Sequence, residues 1–158
     1  MIVVCDTSPI TSLIQIGQLH LINLVFGQVI IPDTVFEELC EVPGQESIIE
    51  NTSWIFIQKP HNERLVKILE ANLDPGEAAA IVLALELKSD YLIMDERKGR
   101  AKAAEMGLKI IGVLGILLQA KQMGVIGSVK EMTDQLIEKA EFFINPKLYQ
   151  HILKLAGE

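Results

Sequence analysis

Two carboxylates each come directly after an apolar run: Asp6 follows I-V-V-C (2–5) and Asp95 follows Y-L-I-M (91–94). Such runs are typical of strands buried on both faces of a parallel sheet. A single Asp there is commonly a turn residue, and Asp95 also suits the N-cap of a helix from Glu96. Because both Asp6 and Asp95 follow a predicted strand, and ligands gather beyond the carboxyl ends of parallel strands, a shared function is favoured for the two residues.

Glu77 is a third candidate acid, in the stretch D-P-G-E-A. Its spacing from Asp74 and Pro75 fits a capping box with a proline in the first helical turn, and spacing alone favours this structural role. The two roles are compatible in part, since an acid in the first turn projects from the positive end of its helix. The same helix end competes with a cation for the carboxylate.

Glu38 is the fourth candidate, in V-F-E-E-L (35–39). It borders the apolar stripe of its helix, whereas Glu37 projects farther into solvent. Glu38 is therefore the better inward-leaning acid, although a solvated surface pair is the commoner meaning of two adjacent glutamates.

Several carboxylates on one sheet edge repel one another and stay ionised together only when a cation neutralises them. An all-oxygen set of this kind suits Mg²⁺ or Mn²⁺. The histidines His20, His61 and His151 are scattered without ligand spacing, which argues against zinc. A hard-metal acidic site is suited to hydrolysis of phosphodiesters, because the metal acidifies water and shields the phosphate.

The elements that position these acids alternate between strands and helices along the chain. This alternation predicts an α/β fold with a parallel sheet covered on both faces by helices. Ser8 is expected to cap the first helix, with Pro9 in its first turn. The predicted strands are 2–5, 29–31, 54–57, 91–94 and 109–111. The predicted helices are 9–16, 19–25, 32–40, 45–50, 62–72, 75–88, 96–106, 113–123, 128–140 and one opening at Asn145-Pro146.

Length and composition fit one globular domain over residues 1–158, with a helical tail from about 128. No apolar run reaches the roughly 18 residues needed to cross a bilayer, and the N-terminus lacks a signal-peptide pattern, so a cytoplasmic protein is expected. Cys5 and Cys40 are expected to be reduced core residues. The net charge of −7 argues against a general polyanion binder, although five of the fourteen basic residues lie within 97–109.

The motifs together resemble those of PIN-domain nucleases, most closely the small prokaryotic VapC-like toxins. The resemblance covers about 120 residues, and its specificity lies in the order and spacing of individually weak motifs. The stretches that carry it are D-T-S-P-I (6–10), V-F-E-E-L (35–39), L-D-P-G-E-A-A-A-I (73–81), L-I-M-D-E-R-K-G-R (92–100) and K-I-I-G-V-L-G-I-L-L-Q-A-K (109–121).

This resemblance implies a PIN-like fold and a metal-dependent endoribonuclease with an acidic pocket for Mg²⁺ or Mn²⁺. Asp6, Glu38, Glu77 and Asp95 match the family's four acids and are the expected catalytic and metal-binding residues. Ser8 matches a small hydroxyl residue that supports the pocket. The resemblance also implies an RNA substrate, an antitoxin partner that reaches the pocket, and a homodimer; apolar residues at 21–25 offer a surface for the dimer or belong to the core.

Arg97 and Arg100 lie three residues apart on one predicted helix face and are expected to contact the RNA backbone. The competing interpretation is an exposed helix with a Glu96–Arg100 pair at i,i+4 spacing, and it is slightly favoured for Arg100 taken alone.

Two departures from the family motivate a different class of function, a PIN-like binding module with weak or no cleavage. Glu77 stands where Asp is more common, and Ile93 stands where many relatives carry Thr or Ser. Phosphoryl transfer of the haloacid-dehalogenase type is disfavoured because Ser8 occupies the place of its second Asp. A dinucleotide site or P-loop would need a glycine-rich phosphate-binding turn, and the turn after the first strand has none.

Overall fold

Five short strands pair in parallel in a single sheet in the computed structural model, which describes residues 1–158. Their order across the sheet is β3-β2-β1-β4-β5, so β3 lies at one edge. All five predicted strands are confirmed, and no end differs from its predicted position by more than one residue. The strands are β1 (Val3–Cys5), β2 (Val29–Pro32), β3 (Ile55–Gln58), β4 (Tyr91–Ile93) and β5 (Ile110–Ile111).

Ten helices flank the sheet, and all ten were predicted from the sequence. One start was predicted wrongly: the first helix begins at Thr7 with Asp6 as its N-cap residue, so Ser8 lies within the first turn instead of capping it. The helices are α1 (Thr7–Gln15), α2 (His20–Phe26), α3 (Asp33–Cys40), α4 (Gln45–Glu50), α5 (Glu63–Leu69), α6 (Pro75–Leu87), α7 (Arg97–Glu105), α8 (Val113–Gln122), α9 (Val129–Lys139) and α10 (Pro146–Leu155).

The two central strands, β1 and β4, are in a register that brings their carboxyl ends level. Cys5 pairs with Ile93, and the backbone N–H of Asp6 donates to the Ile93 carbonyl at 3.0 Å. The residues that follow, Asp6 and Asp95, therefore enter the same edge of the sheet from neighbouring strands.

Hydrophobic cores cover both faces of the sheet, because successive strand residues point to opposite sides. Val3 and Cys5 join a cluster to which α1, α2, α8 and α9 contribute. Val4 joins a second cluster, built mainly from α6 with residues of α5 and α7. The fold class predicted from the sequence, α/β with a parallel sheet flanked on both faces, is confirmed.

The residues that were considered for a dimer surface and the two cysteines can be compared with expectation by their burial. Leu21 and Ile22, two of the residues offered for a dimer surface, are fully buried in the core, while Leu24 of the same helix is 46% exposed. Cys5 is buried as expected, but Cys40 is only half-buried, and both thiols are free.

No helix of the protein combines the length and apolar character that crossing a membrane requires.

The last two helices pack against α8 and begin within one residue of their predicted starts, each with a capping side chain. The Ser128 hydroxyl accepts the N–H of Glu131 at 3.1 Å, and the Asn145 side chain accepts the N–H of Leu148 at 2.8 Å. The short segment between these helices, residues 140–145, lies beside the carboxyl edge of β4, where it borders a cavity that Asp95 also lines.

Candidate active site

Asp6 is the most buried of the four candidate acids, with 3% of its surface exposed. It lies between β1 and α1, where the first strand turns into the first helix. Burial raises the pKa of Asp6 to about 7, against the lowering effect of a hydrogen bond from the Thr7 backbone. The negative charges of Glu77, Glu38 and Asp95 raise it further, so all three acids lie near enough to act on Asp6.

Asp95 follows β4, and one of its oxygens is held by the start of another helix. The N–H of Val113, the first residue of α8, donates to Asp95 Oδ1 at 3.0 Å, while Oδ2 is buried without a partner. The interpretation of Asp95 as a helix N-cap is wrong, since Glu96 occupies the N-cap position of α7, without a side-chain capping bond. Burial raises the pKa of Asp95 to about 6, although the Val113 bond and the charge of Arg100 oppose the rise.

Glu38 projects from α3 toward the start of α1. The Thr7 hydroxyl donates to Glu38 Oε2 at 3.1 Å, and Oε1 is buried without a partner. Burial raises the pKa of Glu38, while the Thr7 hydroxyl and the Gly76 backbone lower it. Glu37 is exposed, as expected, so the structure separates the two adjacent glutamates.

Glu77 takes the capping role that its spacing predicts, but with only one of its oxygens. Glu77 Oε1 accepts the N–H of Asp74 at 3.1 Å in a capping box, whereas Oε2 is buried without a partner. Burial is the main cause of its raised pKa. The structural role therefore leaves one carboxylate oxygen available for another contact.

Glycines make room for three of these acids, a feature that the sequence analysis missed. A Cβ on Gly99 would lie 2.6 Å from Glu77 Oε2, and one on Gly112 would lie 2.5 Å from Asp95 Oδ1. Real Cβ atoms essentially never come closer than 3.0 Å. The signal was present in the sequence, since each glycine lies within or beside a motif. The three pairs are Gly76 with Glu38, Gly99 with Glu77, and Gly112 with Asp95.

The three candidate substrate-binding residues differ in their positions. Ser8 has a buried hydroxyl without a partner and lines a cavity of about 430 Å³ together with Asp95 and the exposed Arg97. Arg100 is half-buried, and its Nη1 donates to the Met94 carbonyl at 2.8 Å. No Glu96–Arg100 ion pair forms, so this part of the competing interpretation is wrong.

The donor set fits a hard divalent cation in its chemistry. Glu38, Glu77 and Asp95 each have one oxygen fixed by a protein donor and one buried oxygen without a partner. Oxygen ligands of this type are those that Mg²⁺ and Mn²⁺ prefer. No three acids, histidines or cysteines converge closely enough to hold an ion in their present positions.

Parallel topology and an acidic cluster at the carboxyl edge of β1 and β4 define an α/β domain whose acids lie at the edge where parallel sheets commonly bind ligands. A family model described as a PIN domain matches residues 2–158. The chain belongs to the PIN-domain family. PIN domains are generally nucleases that act on RNA and use divalent metal ions. A search among curated proteins finds no match to this sequence.

Proposed function

We propose that this protein is a metal-dependent endoribonuclease that hydrolyses RNA phosphodiesters at the acidic edge of its sheet. The observation that carries the proposal is the pair of the buried Asp6 and the half-buried Asp95, which lie at the ends of adjacent strands with pKa values raised to about 7 and about 6. Buried acids with strongly perturbed pKa values are characteristic of functional sites. A carboxylate buried without a positive partner is costly, and a bound cation removes that cost.

In the proposed mechanism Asp6 and Asp95 hold the divalent ion, Mg²⁺ or Mn²⁺. Glu38 and Glu77 complete the set of oxygen ligands or orient the attacking water through their unpartnered oxygens. When bound, the ion supplies a more acidic water and offsets the negative charge of the scissile phosphate. Thr7 and Asp74 keep the two glutamates in place by donating to their other oxygens.

The basic residues have separate tasks in this mechanism. Arg97 is exposed beside the cavity that Asp95 lines, and we assign it to an RNA phosphate. Arg100 donates to the Met94 carbonyl, and its positive charge favours the ionised form of Asp95. We therefore assign Arg100 to stabilising the acidic edge, with its remaining N–H groups available to the substrate. Ser8 supports the pocket with its unpartnered hydroxyl.

Cleavage of end-labelled RNA with Mn²⁺ tests the proposal. The double variant Asp6→Asn with Asp95→Asn is expected to lose activity by at least about a hundredfold, because the ligands that position the ion are gone. Circular dichroism verifies that the double variant is folded. Cleavage that persists at the wild-type rate in the folded double variant would refute the assigned site.

Two adjacent glutamates supply a matched control for Glu38, the fourth candidate acid. Glu38→Gln removes charge from the buried edge, whereas Glu37→Gln removes the same charge from an exposed neighbour. Cleavage is expected to fall about tenfold or more in the first variant and to stay unchanged in the second. Equal losses in both variants would indicate an effect of net charge and not of a ligand.

A PIN-like binding module with weak cleavage is the second candidate function. It is favoured by the separation of the acids, since no three of them converge on one point. Calorimetric titration with Mn²⁺ distinguishes the two functions. A nuclease binds the ion at the acidic edge with an affinity that Asp6→Asn reduces, whereas a module without a metal centre gives the same isotherm in both proteins.

We further propose that the protein is a cytoplasmic toxin of the VapC-like type, restrained by an antitoxin, and that it forms a homodimer. The support is the likeness of its motifs to that group. A short neighbouring reading frame that abolishes growth arrest when co-expressed would support the toxin role. Light scattering that shows a strict monomer at micromolar concentration would count against the dimer.

A further inference from the structure

The segment that joins α9 to α10 carries two adjacent phenylalanines with opposite surroundings. Phe142 is half-buried against the core, and its N–H donates to the Leu136 carbonyl at 3.1 Å. Phe143 is 90% exposed, more than any other large apolar side chain of the protein. Glu141, just before the pair, has a φ of 52°, an uncommon conformation for a non-glycine residue that turns the chain sharply here.

Phe143 lies between two cavities that meet at the acidic edge. The first has a volume of about 430 Å³ and is lined mainly by polar groups, which are Ser8, Ser12, Arg97 and the acids Asp95, Glu96 and Glu141. The second has a volume of about 390 Å³ and a largely apolar lining, which includes Leu148. Only Asp95, Phe142 and Phe143 line both cavities.

We infer that Phe143 is a stacking platform for a base of single-stranded RNA whose adjoining phosphate lies at Asp95 and Arg97. This inference rests on the proposed ribonuclease function and names the form of RNA that the site takes. A duplex keeps its bases paired and stacked, whereas a single strand leaves base faces free to stack on an aromatic ring. The polar cavity takes the sugar–phosphate chain, and the apolar one takes the face of the base.

The charge of the protein disfavours RNA binding in general, so the inference depends on local contacts. With a net charge of −7, the chain as a whole repels RNA, so the electrostatic attraction that usually dominates such complexes is weak here. Binding must then rely on local contacts that do not depend on the overall field. A fully exposed aromatic ring beside the acids provides such a contact, and Arg97 supplies a local positive charge.

An apolar side chain of a bound protein segment is the other occupant that a phenylalanine and an apolar cavity would accept. RNA is favoured because the same cavities are lined by Arg97, Arg100 and two serine hydroxyls, groups that bind phosphate and ribose. An RNA base also presents a flat face that can stack on the Phe143 ring, whereas an aliphatic side chain does not.

Fluorescence anisotropy with a labelled single-stranded RNA of about ten nucleotides, in EDTA to prevent cleavage, tests the inference. Phe143→Ala is expected to weaken binding roughly tenfold, and Phe143→Leu to weaken it similarly, because neither keeps a ring. Phe143→Trp is expected to preserve affinity. Phe56→Ala removes a 48% exposed ring from the distant strand β3 and is expected to have no effect.

Abasic nucleotides introduced one at a time separate stacking from a change in structure. At one position the missing base should weaken binding to the wild type about as much as Phe143→Ala does, and should weaken binding to that variant no further. Binding to Phe143→Ala at wild-type strength, or equal binding to the Leu and Trp variants, would overturn the inference, the latter indicating an aliphatic contact.

Cleavage assays in Mn²⁺ distinguish this inference from the function on which it rests. If the wild type cleaves RNA but its affinity is insensitive to Phe143, the stacking role fails and the nuclease stands. If the wild type neither binds nor cleaves RNA, both fail together.

Discussion

Carboxylates occur in two contrasting environments in this protein. At the edge beyond β1 and β4, Asp6 is buried and Asp95 is half-buried, and their pKa values are raised to about 7 and about 6. In the second environment, the Glu158 side chain contacts the N-terminus of α9. Hydrogen bonds, chiefly from the Val129 backbone, lower the pKa of Glu158 to about 2. The donors to Glu158 are Val129 N at 2.7 Å, Ser128 Oγ at 2.9 Å, Lys130 N at 3.1 Å and Lys121 Nζ at 3.1 Å.

The contrast shows how one functional group serves either stability or function. The fold supplies Glu158 with donors for both oxygens and a positive helix end, so its ionised form stabilises the native state. At the acidic edge the fold supplies too few donors, so ionisation of Asp6 destabilises the native state, a cost that the proposed cation would offset. The two environments should therefore respond to pH and to metal in opposite ways.

The largest predicted effect is on the pH dependence of stability without metal. Because the pKa of Asp6 rises from 3.8 to about 7 on folding, its contribution to stability is present below about pH 4 and is lost as pH rises to 7. The loss amounts to about 4 kcal/mol. Asp6→Asn cannot ionise, so above pH 7 the variant should exceed the wild type in its free energy of unfolding. Urea denaturation in EDTA measures the difference.

Urea denaturation of Glu158→Gln in EDTA is the control for the first prediction. Both variants lose one negative charge, but only Asp6→Asn should gain stability at about pH 8. A gain in both variants would show that relief of the net negative charge, and not the burial of Asp6, is responsible.

The second predicted effect is stabilisation by Mn²⁺. At a concentration about a hundredfold above the dissociation constant, the ion should add about 2.7 kcal/mol to the free energy of unfolding, or roughly 5 to 10 °C in Tm. The shift should be larger at about pH 8 than at about pH 5, because protons compete with the ion for Asp6 and Asp95. Differential scanning calorimetry measures it. An equal shift in the folded double variant Asp6→Asn with Asp95→Asn would contradict the assigned site.

The acidic edge was largely predictable from the sequence, because its positions depend on local patterns. Apolar runs that end on Asp6 and Asp95 indicate strand ends, and parallel pairing then places both at one edge. The capping box at Glu77 follows from spacing alone. The start of α1 was predicted wrongly because Ser8 is a good N-cap by type, but the helix begins at Thr7, directly after the strand.

The contacts that complete each environment were not predictable, because they join residues far apart in the chain. Thr7 meets Glu38 across 31 positions, and Glu158 meets Val129 across 29. No local periodicity records such a meeting. The glycines beside the acids were visible as letters within motifs, but only the packed structure shows that Gly112 faces Asp95.

A third prediction concerns that glycine. Gly112 has a φ of −100°, which alanine adopts without strain, so the effect of Gly112→Ala comes from the contact of its Cβ with Asp95. We expect Mn²⁺ affinity to fall between about tenfold and a hundredfold, because the carboxylate is displaced from the Val113 N–H that orients it. Isothermal titration calorimetry measures the change without relying on turnover.

Gly127 provides the matched control, since nothing lies within 4 Å of a Cβ placed there. Gly127→Ala should leave Mn²⁺ affinity unchanged and stabilise the fold by about 0.4 to 1 kcal/mol through the unfolded chain. If both alanine variants bind the ion as the wild type does, the close approach of Gly112 to Asp95 has no role in the site.

The smallest predicted effect is that of Glu158→Gln at neutral pH, because the residue lies at the protein surface, where solvent reaches 18% of its side chain and screens its charge. Glutamine offers one carbonyl oxygen where the carboxylate offers two, and it carries no charge for the start of α9. Since the folded pKa of Glu158 lies near 2, its contribution is present above its ordinary pKa and disappears as pH falls toward 2. The variant should therefore be less stable than the wild type at about pH 7 and indistinguishable from it at about pH 2, as urea denaturation at the two pH values will show. A deficit of equal size at both would mean that Glu158 acts through packing, and the opposition between the two carboxylate environments would then be lost.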